Sequence, residues 1–276
     1  MAIDESAATP AQAYQAYFGP AIFAPLAEKV VARAGPARGA RALDVACGTG
    51  ILTRRIATEV GRGGTVVGVD VNPAMLDMAR SFPADPGAAP IEYHEADACT
   101  LGLPDASFDV CYCQQGLQFF ADRPAAVRAQ RCSLRDGGTA VIAVWQGLDR
   151  HPLYAALADA EEPHLARLGV EVTRTELEAP FSFGDPQELR SLLLDAGFGH
   201  VDVWTDVVEA RFPHAESFVA RMEFAYAAVV PVFAQDPLLF DGYLAAITDA
   251  TRAVVDEYRA GDEIVVPMHT NIAVAR

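Results

Sequence analysis

The chain has 276 residues, with 37 acidic against 21 basic side chains and a net charge of −16. So acidic a chain excludes nucleic acid and anionic membrane surfaces as partners, because binding phosphates needs a basic footprint. A fold of this length buries about 75% of the surface its unfolded chain exposes and needs neither disulfides nor a structural metal. Its five cysteines (Cys47, Cys99, Cys111, Cys113 and Cys132) are odd in number and lack CxxC spacing, so they are expected to be buried free thiols.

The N-terminal "MAIDESAATPAQAYQAYF" has no basic start followed by an apolar run, so it does not read as a signal peptide. No stretch reaches the roughly 18 unbroken apolar residues of a membrane span. The most apolar, "FAYAAVVPVFA" at 224–234, is split by Pro231. A cytoplasmic protein is expected.

Residues 11–34 read as helical, interrupted near Gly19–Pro20 and Pro25. A short buried strand follows at 41–46, then a helix at 51–60 with Ile51, Leu52, Ile56 and Val60 inward. A second strand spans 65–72, and Pro73 opens the next helix. The third and fourth strands are 91–98 and 107–116; Cys111 and Cys113 share one face of the fourth. "DRPAAVRAQRCSL" reads as a helix and 137–147 as a fifth strand. Strands alternating with helices in this way predict an α/β, doubly wound, mostly parallel sheet.

The second half differs. A helix at 150–168 is predicted to break at Pro163, and another at 181–198 has Asp185 as N-cap, Pro186 at its first position and Gly197 at its end. A strand at 200–212 precedes about fifty mostly helical residues, and the last strand spans 263–276.

The turn "ACGTG" at 46–50 closes the first strand. In open α/β sheets, ligands bind beyond the carboxyl ends of the strands, where strand order reverses. Gly48 and Gly50 let backbone approach a ligand, and the helix behind them offers free N–H groups. The third glycine of a dinucleotide fingerprint is absent, since Thr53 stands there, and no Gly-Lys-Ser/Thr follows to make a P-loop. Asp70 ends the second strand, where a carboxylate can accept both hydroxyls of a ribose. Asp97 ends the third, where it can accept from an adenine amino group while the Ala98 N–H donates to the ring. Together they describe an adenosine without a demand for pyrophosphate.

"LDVACGTG", "VVGVDVNPAML", "EADACTLGLPDASFDVCYCQQGLQFFAD" and "GGTAVIAVW" resemble the ordered motifs of class I S-adenosylmethionine-dependent methyltransferases. The nearest group is the one that includes ubiquinone/menaquinone-biosynthesis C-methyltransferases and many small-molecule methyltransferases. The resemblance covers residues 40–146 strongly and continues more weakly through "FSFGDPQELRSLLLDAGF" and "FPHAESFVARM". The family usually has glycine where Ala46 and Cys47 stand. The resemblance implies S-adenosylmethionine as cofactor and a Rossmann-like seven-stranded doubly wound sheet, its last strand antiparallel, with helical cap insertions. It implies that Ala46, Cys47 and Gly48 contact the methionine part through backbone atoms while Asp44 orders the loop. Asp70 would bind the ribose, Val71 and Met75 would flank the adenine, and Asp97 and Ala98 would address its edge. Cys113 and Gln114 would lie near the sulfonium and the amino acid group, with Tyr14 and Tyr17 as candidates for the carboxylate.

On this reading residues 1–146 hold the N-terminal helices and the cofactor-binding half. Residues 147–276 complete the sheet and supply cap segments at 147–182 and 213–262. The cap carries Tyr154, Phe181, Phe183, Phe218, Met222, Phe224, Tyr226 and Phe233, an apolar set suited to a small hydrophobic metabolite methylated at O, C or N. His151 at the start of the cap is the candidate base, and Gln118 could orient a substrate. His94 and His269 read as structural, and the six histidines show no metal-ligand spacing. An NAD-dependent oxidoreductase, or a protein that binds the cofactor without transferring its methyl group, are the alternatives.

Overall fold

The computed structural model describes residues 9–169, 173–227 and 237–276. Five strands pair in parallel: β1 (Arg41–Val45), β2 (Thr65–Asp70), β3 (Ile91–Glu95), β4 (Phe108–Gln114) and β5 (Leu134–Trp145). Further along the chain come β6 (Val201–Pro213), a two-residue β7 (Arg259–Ala260) and β8 (Glu263–Ala275). The sheet order is β3-β2-β1-β4-β5-β8-β6, with β7 paired only to β8. β8 runs antiparallel to both β5 and β6. The predicted seven-stranded sheet with an antiparallel last strand is therefore found, with β7 as a short addition. Winding reverses between β1 and β4, so the connections leaving them diverge and open a crevice at their carboxyl ends.

Each sheet face buries its own apolar cluster. Along β4, Val110 and Tyr112 point to one, and Cys111 and Cys113 to the other. This two-residue period decides which side chains can reach a site at the strand ends. The thiols are all free; Cys47, Cys111 and Cys113 are buried, whereas Cys99 is half-buried and Cys132 exposed.

α1 (Pro10–Phe18) opens on a reciprocal capping box between Thr9 and Gln12. The interruption predicted at Gly19–Pro20 takes the form of one π-helical turn, Gly19–Phe23, where the Ala24 N–H donates to the Gly19 carbonyl. The wider turn accommodates a proline that has no N–H, and α2 (Ala24–Arg33) continues from it. α3 (Ile51–Val60), α4 (Pro73–Arg80) and α5 (Arg123–Ser133) follow β1, β2 and β4 in turn, with Asn72 capping α4 and Asp122 capping α5.

In the second half, α6 (Pro152–Arg167) runs unbroken through Pro163, contrary to the predicted break. The carbonyl that loses its partner belongs to the exposed Asp159, where water can serve it, while Leu153, Leu157 and Leu165 bury the opposite face. α7 (Arg174–Leu177) is followed by α8 (Pro186–Asp195), which is capped by Asp185 as predicted. Ala179–Phe181 forms a separate 3-10 turn rather than the start of that helix. α9 (Phe218–Ala227) and α10 (Pro237–Glu257) come before β7. α6 packs on α10, α10 on α9, and α9 on α1. Of the predicted cap aromatics, Phe183 and Phe218 are core residues and Phe224 is exposed. Phe233, Pro231 and the Tyr226 side chain lie outside the described residues. Among the described residues no helix is long and apolar enough to cross a membrane.

Candidate functional site

The turn after β1 is held by its own backbone and by one carboxylate. Ala46, Gly48 and Gly50 all have positive φ (57°, 54° and 75°), which curls the chain back over the strand ends. The Cys47 N–H donates to the Val69 carbonyl at 3.0 Å, and the Gly50 N–H to the Cys47 carbonyl at 2.9 Å. Asp70 accepts from the Gly48 N–H at 2.8 Å with Oδ2 and from the Asn72 N–H at 2.9 Å with Oδ1. Asp44 lies buried beneath the turn, taking the Thr53 hydroxyl at 2.6 Å. Burial pushes its pKa up to about 7. Gly116, leaving β4, comes so close to the turn that a Cβ there would stand 2.5 Å from the Ala46 Cβ.

Between these loops lies a cavity of about 890 Å³. It brings together Asp44, Ala46, Cys47 and Gly48 from the first strand end with Asp70, Val71 and Met75 from the second. Gln114 from β4 and Tyr14 from α1 complete the predicted residues that line it. The Gln114 Nε2 donates to the Phe23 carbonyl at 3.3 Å, while its Oε1 is buried with no partner. The Thr49 Oγ1 on the same wall is also buried without one. An unsatisfied buried polar atom costs about 1–3 kcal/mol, so both atoms fit a wall built for a ligand with polar groups of its own. Tyr14 stacks on Phe23, with ring centroids 5.1 Å apart. Burial and the nearby Asp70 charge raise its hydroxyl well above the usual phenol range, leaving it a neutral donor.

Five predicted residues lie elsewhere. Tyr17 packs on Phe212, with the Arg221 guanidinium over its ring, so it serves the core and not the cavity. The Cys113 side chain points to the opposite sheet face, as the alternation with Gln114 requires, and burial pushes its pKa up to about 12. β3 ends at Glu95, which leaves Asp97 and Ala98 in the turn beyond it. There the exposed Asp97 accepts the Cys99 N–H at 2.7 Å, and neither residue lines the cavity. His151, the candidate base, is 1% exposed and has both ring nitrogens engaged. Nδ1 lies 3.0 Å from the Gly147 carbonyl, and Nε2 accepts the His269 N–H at 2.9 Å. That pairing makes Nδ1 the protonated nitrogen, and burial holds the pKa down at about 4. His151 therefore has no nitrogen for a substrate; it ties the start of the cap to β8.

A second cavity of about 330 Å³ adjoins the first, and the two share Tyr14, Phe23, Gln115, Phe119 and Pro180. Its other walls are mostly apolar, among them Phe18, Ile22, Trp145, Leu157, Phe181 and Met222. Gln118 stands in it, 3% exposed, at the end of a directed hydrogen-bond chain. The Thr270 hydroxyl donates to the Val144 carbonyl at 2.9 Å, so it must accept from the Gln115 Nε2 at 3.2 Å. Gln115 Oε1 then accepts from the Gln118 Nε2 at 3.0 Å. Gln118 Oε1 is left buried with no donor.

Sequence reading missed Thr49, Gln115 and two buried acids of this second cavity, Glu161 and Glu223. Tyr154, Leu157, Ala158 and Glu161 follow the i, i+3, i+4, i+7 spacing of one helix face, which was the available signal. The adjoining Glu162 and Pro163 make the segment look like a solvated break instead. Glu223 is a lone acid in the apolar run "VARMEFAYA".

Comparison with known proteins adds three findings. A family model described as a methyltransferase domain matches residues 43–142. The ubiquinone/menaquinone biosynthesis C-methyltransferase of Shewanella frigidimarina is 32% identical over 180 residues, covering 62% of this chain and 70% of that protein. Its counterpart in Escherichia coli O1:K1 is 34% identical over 178 residues, with the same coverage. Among solved structures, phosphoethanolamine N-methyltransferase 2 of Haemonchus contortus, in complex with phosphomonomethylethanolamine and S-adenosylhomocysteine, superposes with a TM-score of 0.57 at 18% identity. That match covers 99% of this chain and 57% of the other. The YcgJ protein of Bacillus subtilis gives 0.56 at 16% identity, covering 91% and 97%.

Proposed function

The chain belongs to the class I S-adenosylmethionine-dependent methyltransferases, and we propose that it methylates a carbon atom of a small, largely apolar metabolite. Its cofactor is S-adenosylmethionine and its substrate a small molecule. When bound, the cofactor supplies an activated methyl group on a sulfur that leaves without acid assistance. The observation that carries the substrate reading is the shared wall between the two cavities. Among the described residues, the two cavities share Tyr14, Phe23, Gln115, Phe119 and Pro180, which is where a ligand in the apolar cavity would meet one in the larger cavity.

We assign the residues of the larger cavity as follows. Asp70 takes the ribose hydroxyls on the lone pairs that the Gly48 and Asn72 N–H groups leave open. Val71 and Met75 flank the adenine. Asp97 and Ala98, in the turn at the same sheet edge, take its amino group and ring nitrogen. The backbone of Ala46, Cys47 and Gly48 cradles the methionine part, with Asp44 beneath. Gln114 Oε1 accepts from the α-ammonium, and the Tyr14 and Thr49 hydroxyls donate to the carboxylate. Apart from Asp97 and Ala98, which stand outside the cavity lining, each fills an atom or surface that the protein leaves unpartnered or exposed to the cavity.

Among the described residues of the shared wall no side chain stands ready to take a proton: Tyr14 is held neutral, and the other four are Phe23, Gln115, Phe119 and Pro180. The acceptor atom must therefore arrive nucleophilic, as an electron-rich ring or enolate carbon does. The protein's contribution is alignment and exclusion of water, worth roughly 7–11 kcal/mol when the reacting atoms are held in line. Gln118 Oε1 positions a donor on the substrate. The C-methyltransferase names of the curated relatives support the same acceptor atom.

Two measurements test this. Calorimetry should show S-adenosylhomocysteine binding and no response to NADH; the reverse would sink the cofactor assignments. Incubation with methyl-labelled cofactor and fractionated small-molecule extracts should move label into a small-molecule product whose new methyl group is bonded to carbon, read by the NMR shift of the labelled methyl. A labile ester or an amine product would replace carbon by oxygen or nitrogen as the acceptor.

A further inference from the structure

The apolar cavity has a second polar feature that methyl transfer at the shared wall does not use. Glu161 on α6 and Glu223 on α9 both line it, 9% and 2% exposed, and their carboxyl groups are hydrogen-bonded to each other. The Tyr243 hydroxyl from α10 donates to Glu223 Oε2 at 2.9 Å, so α6, α9 and α10 converge on this pair. Neither acid lines the larger cavity.

Two carboxylates this close in a dry site do not both stay ionised. Burial and the Glu161 charge push Glu223 well above the usual carboxyl range, and burial raises Glu161 as well. A cation beside the pair would favour its ionised form, and with it a negative charge. Among the described residues no lysine, arginine or histidine lines the cavity to balance it. The Arg174 guanidinium acts on Glu161 from outside the cavity and is already paired with Asp159 and Glu178. Two further polar atoms point to a missing occupant. Gln118 Oε1 and the Tyr154 Oη are buried without partners on the same walls.

We propose that the Glu161–Glu223 pair is a recognition site for a cationic amine, and that the substrate is a small apolar molecule carrying an ammonium group at the end remote from the methylated atom. The proposal rests on the reading of this cavity as the substrate site. An ammonium fits what the cavity offers: two buried carboxyl groups with no basic side chain among the described lining residues, surplus acceptor oxygens and apolar walls for a hydrocarbon or aryl body. Because neither acid lines the larger cavity, the nitrogen is an anchor and not the methyl acceptor.

The test uses the full chain, alone and loaded with S-adenosylhomocysteine, titrated with 2-phenylethylammonium and its neutral isostere 2-phenylethanol. The ammonium should bind at least ten-fold more tightly than the alcohol, and 3-phenylpropanoate should not bind. Glu223→Gln and Glu161→Gln, which keep the volume, should each erase that preference while S-adenosylhomocysteine affinity stays unchanged. Equal affinity for the two probes, or a preference that survives both substitutions, overturns the proposal. The wild-type comparison stands alone if a variant fails to fold. Loss of adenosylhomocysteine binding with ammonium preference intact would count against the cofactor assignments instead.

Discussion

The two cavities meet at five residues yet are made of different material. The larger one is built from strand ends and turns, and its polar contacts run largely through backbone N–H groups ordered by Asp70. The smaller one is built from side chains on the cap helices and the strand ends, and its polar atoms answer mostly to each other. A turn that needs particular φ values restricts its residue types, so it leaves a readable motif. A pocket made from helix faces demands only inward spacing, which many sequences satisfy. Chemistry shared by a family sits in the first kind of construction and substrate choice in the second.

The largest effect that separates them is expected at Asp70. Asp70→Ala removes the ribose partner and also releases the Gly48 and Asn72 N–H groups. Charge-assisted hydrogen bonds contribute about 1.5–3 kcal/mol each, so S-adenosylhomocysteine binding should weaken by about 3–5 kcal/mol, read by calorimetry. Binding of an apolar probe in the smaller cavity should change little. Unchanged cofactor affinity would show that the ribose is held elsewhere.

Gly184→Ala should do the opposite. Gly184 packs on the backbone of Gln146 and Gly147, where a Cβ would overlap the Gly147 nitrogen, so the two ends of the first cap segment touch there. Forcing them apart should cost about 1–3 kcal/mol in chemical unfolding and raise KM for the substrate. Cofactor affinity should stay within about two-fold. A loss confined to cofactor binding would mean that the cap is not separable from the cradle.

His151 tests whether the cap holds a base at all. His151→Leu leaves the His269 N–H without its partner and the Gly147 carbonyl with only the Arg150 N–H, and should cost about 2 kcal/mol of stability. Turnover at neutral pH per folded molecule should fall less than three-fold; a thousand-fold loss would restore His151 as the base. The acid side gives a second readout. A histidine with a folded pKa of about 4, against about 6.5 when unfolded, binds more protons unfolded, so stability rises with pH across that window. Its contribution is complete above about pH 6.5 and is lost as pH falls toward 4, by roughly 3 kcal/mol at most. The leucine variant should lack this part of the acid sensitivity.

His151 also marks the boundary of what the sequence could tell. Its position directly after the fifth strand was legible; its two partners, a carbonyl four residues back and an N–H on β8, were not. The alternation of strands and helices, the Asp185 cap and the placement of Asp70 follow from periodicity and turn chemistry, which are local, whereas Met75 and Gln114 were named only through the family resemblance. The break predicted at Pro163 failed because burial of Leu153, Leu157 and Leu165 outweighs one lost hydrogen bond. Tyr17 was misplaced by proximity to Tyr14: three residues along α1 turn its ring toward Phe212. Glu161 and Glu223 lie 62 residues apart in sequence, and only the packing of α6 and α9 on α10 makes them neighbours.

The smallest effect concerns Ala46, one of the cradle's two departures from its family's pattern. Ala46 sits at φ 57° where glycine is usual, and a left-handed alanine costs about 1–2 kcal/mol. Ala46→Gly removes that strain but frees the unfolded chain, which offsets about 0.5–1 kcal/mol. The balance predicts stabilisation by about 0.5 kcal/mol, read as a shift in denaturation midpoint, with cofactor affinity within two-fold. The methyl group does have a neighbour, because Gly116 leaves the space that the Ala46 Cβ occupies. If the variant is instead less stable, that contact between the β1 and β4 loops outweighs the backbone strain. The alanine would then be what holds the two halves of the cradle together.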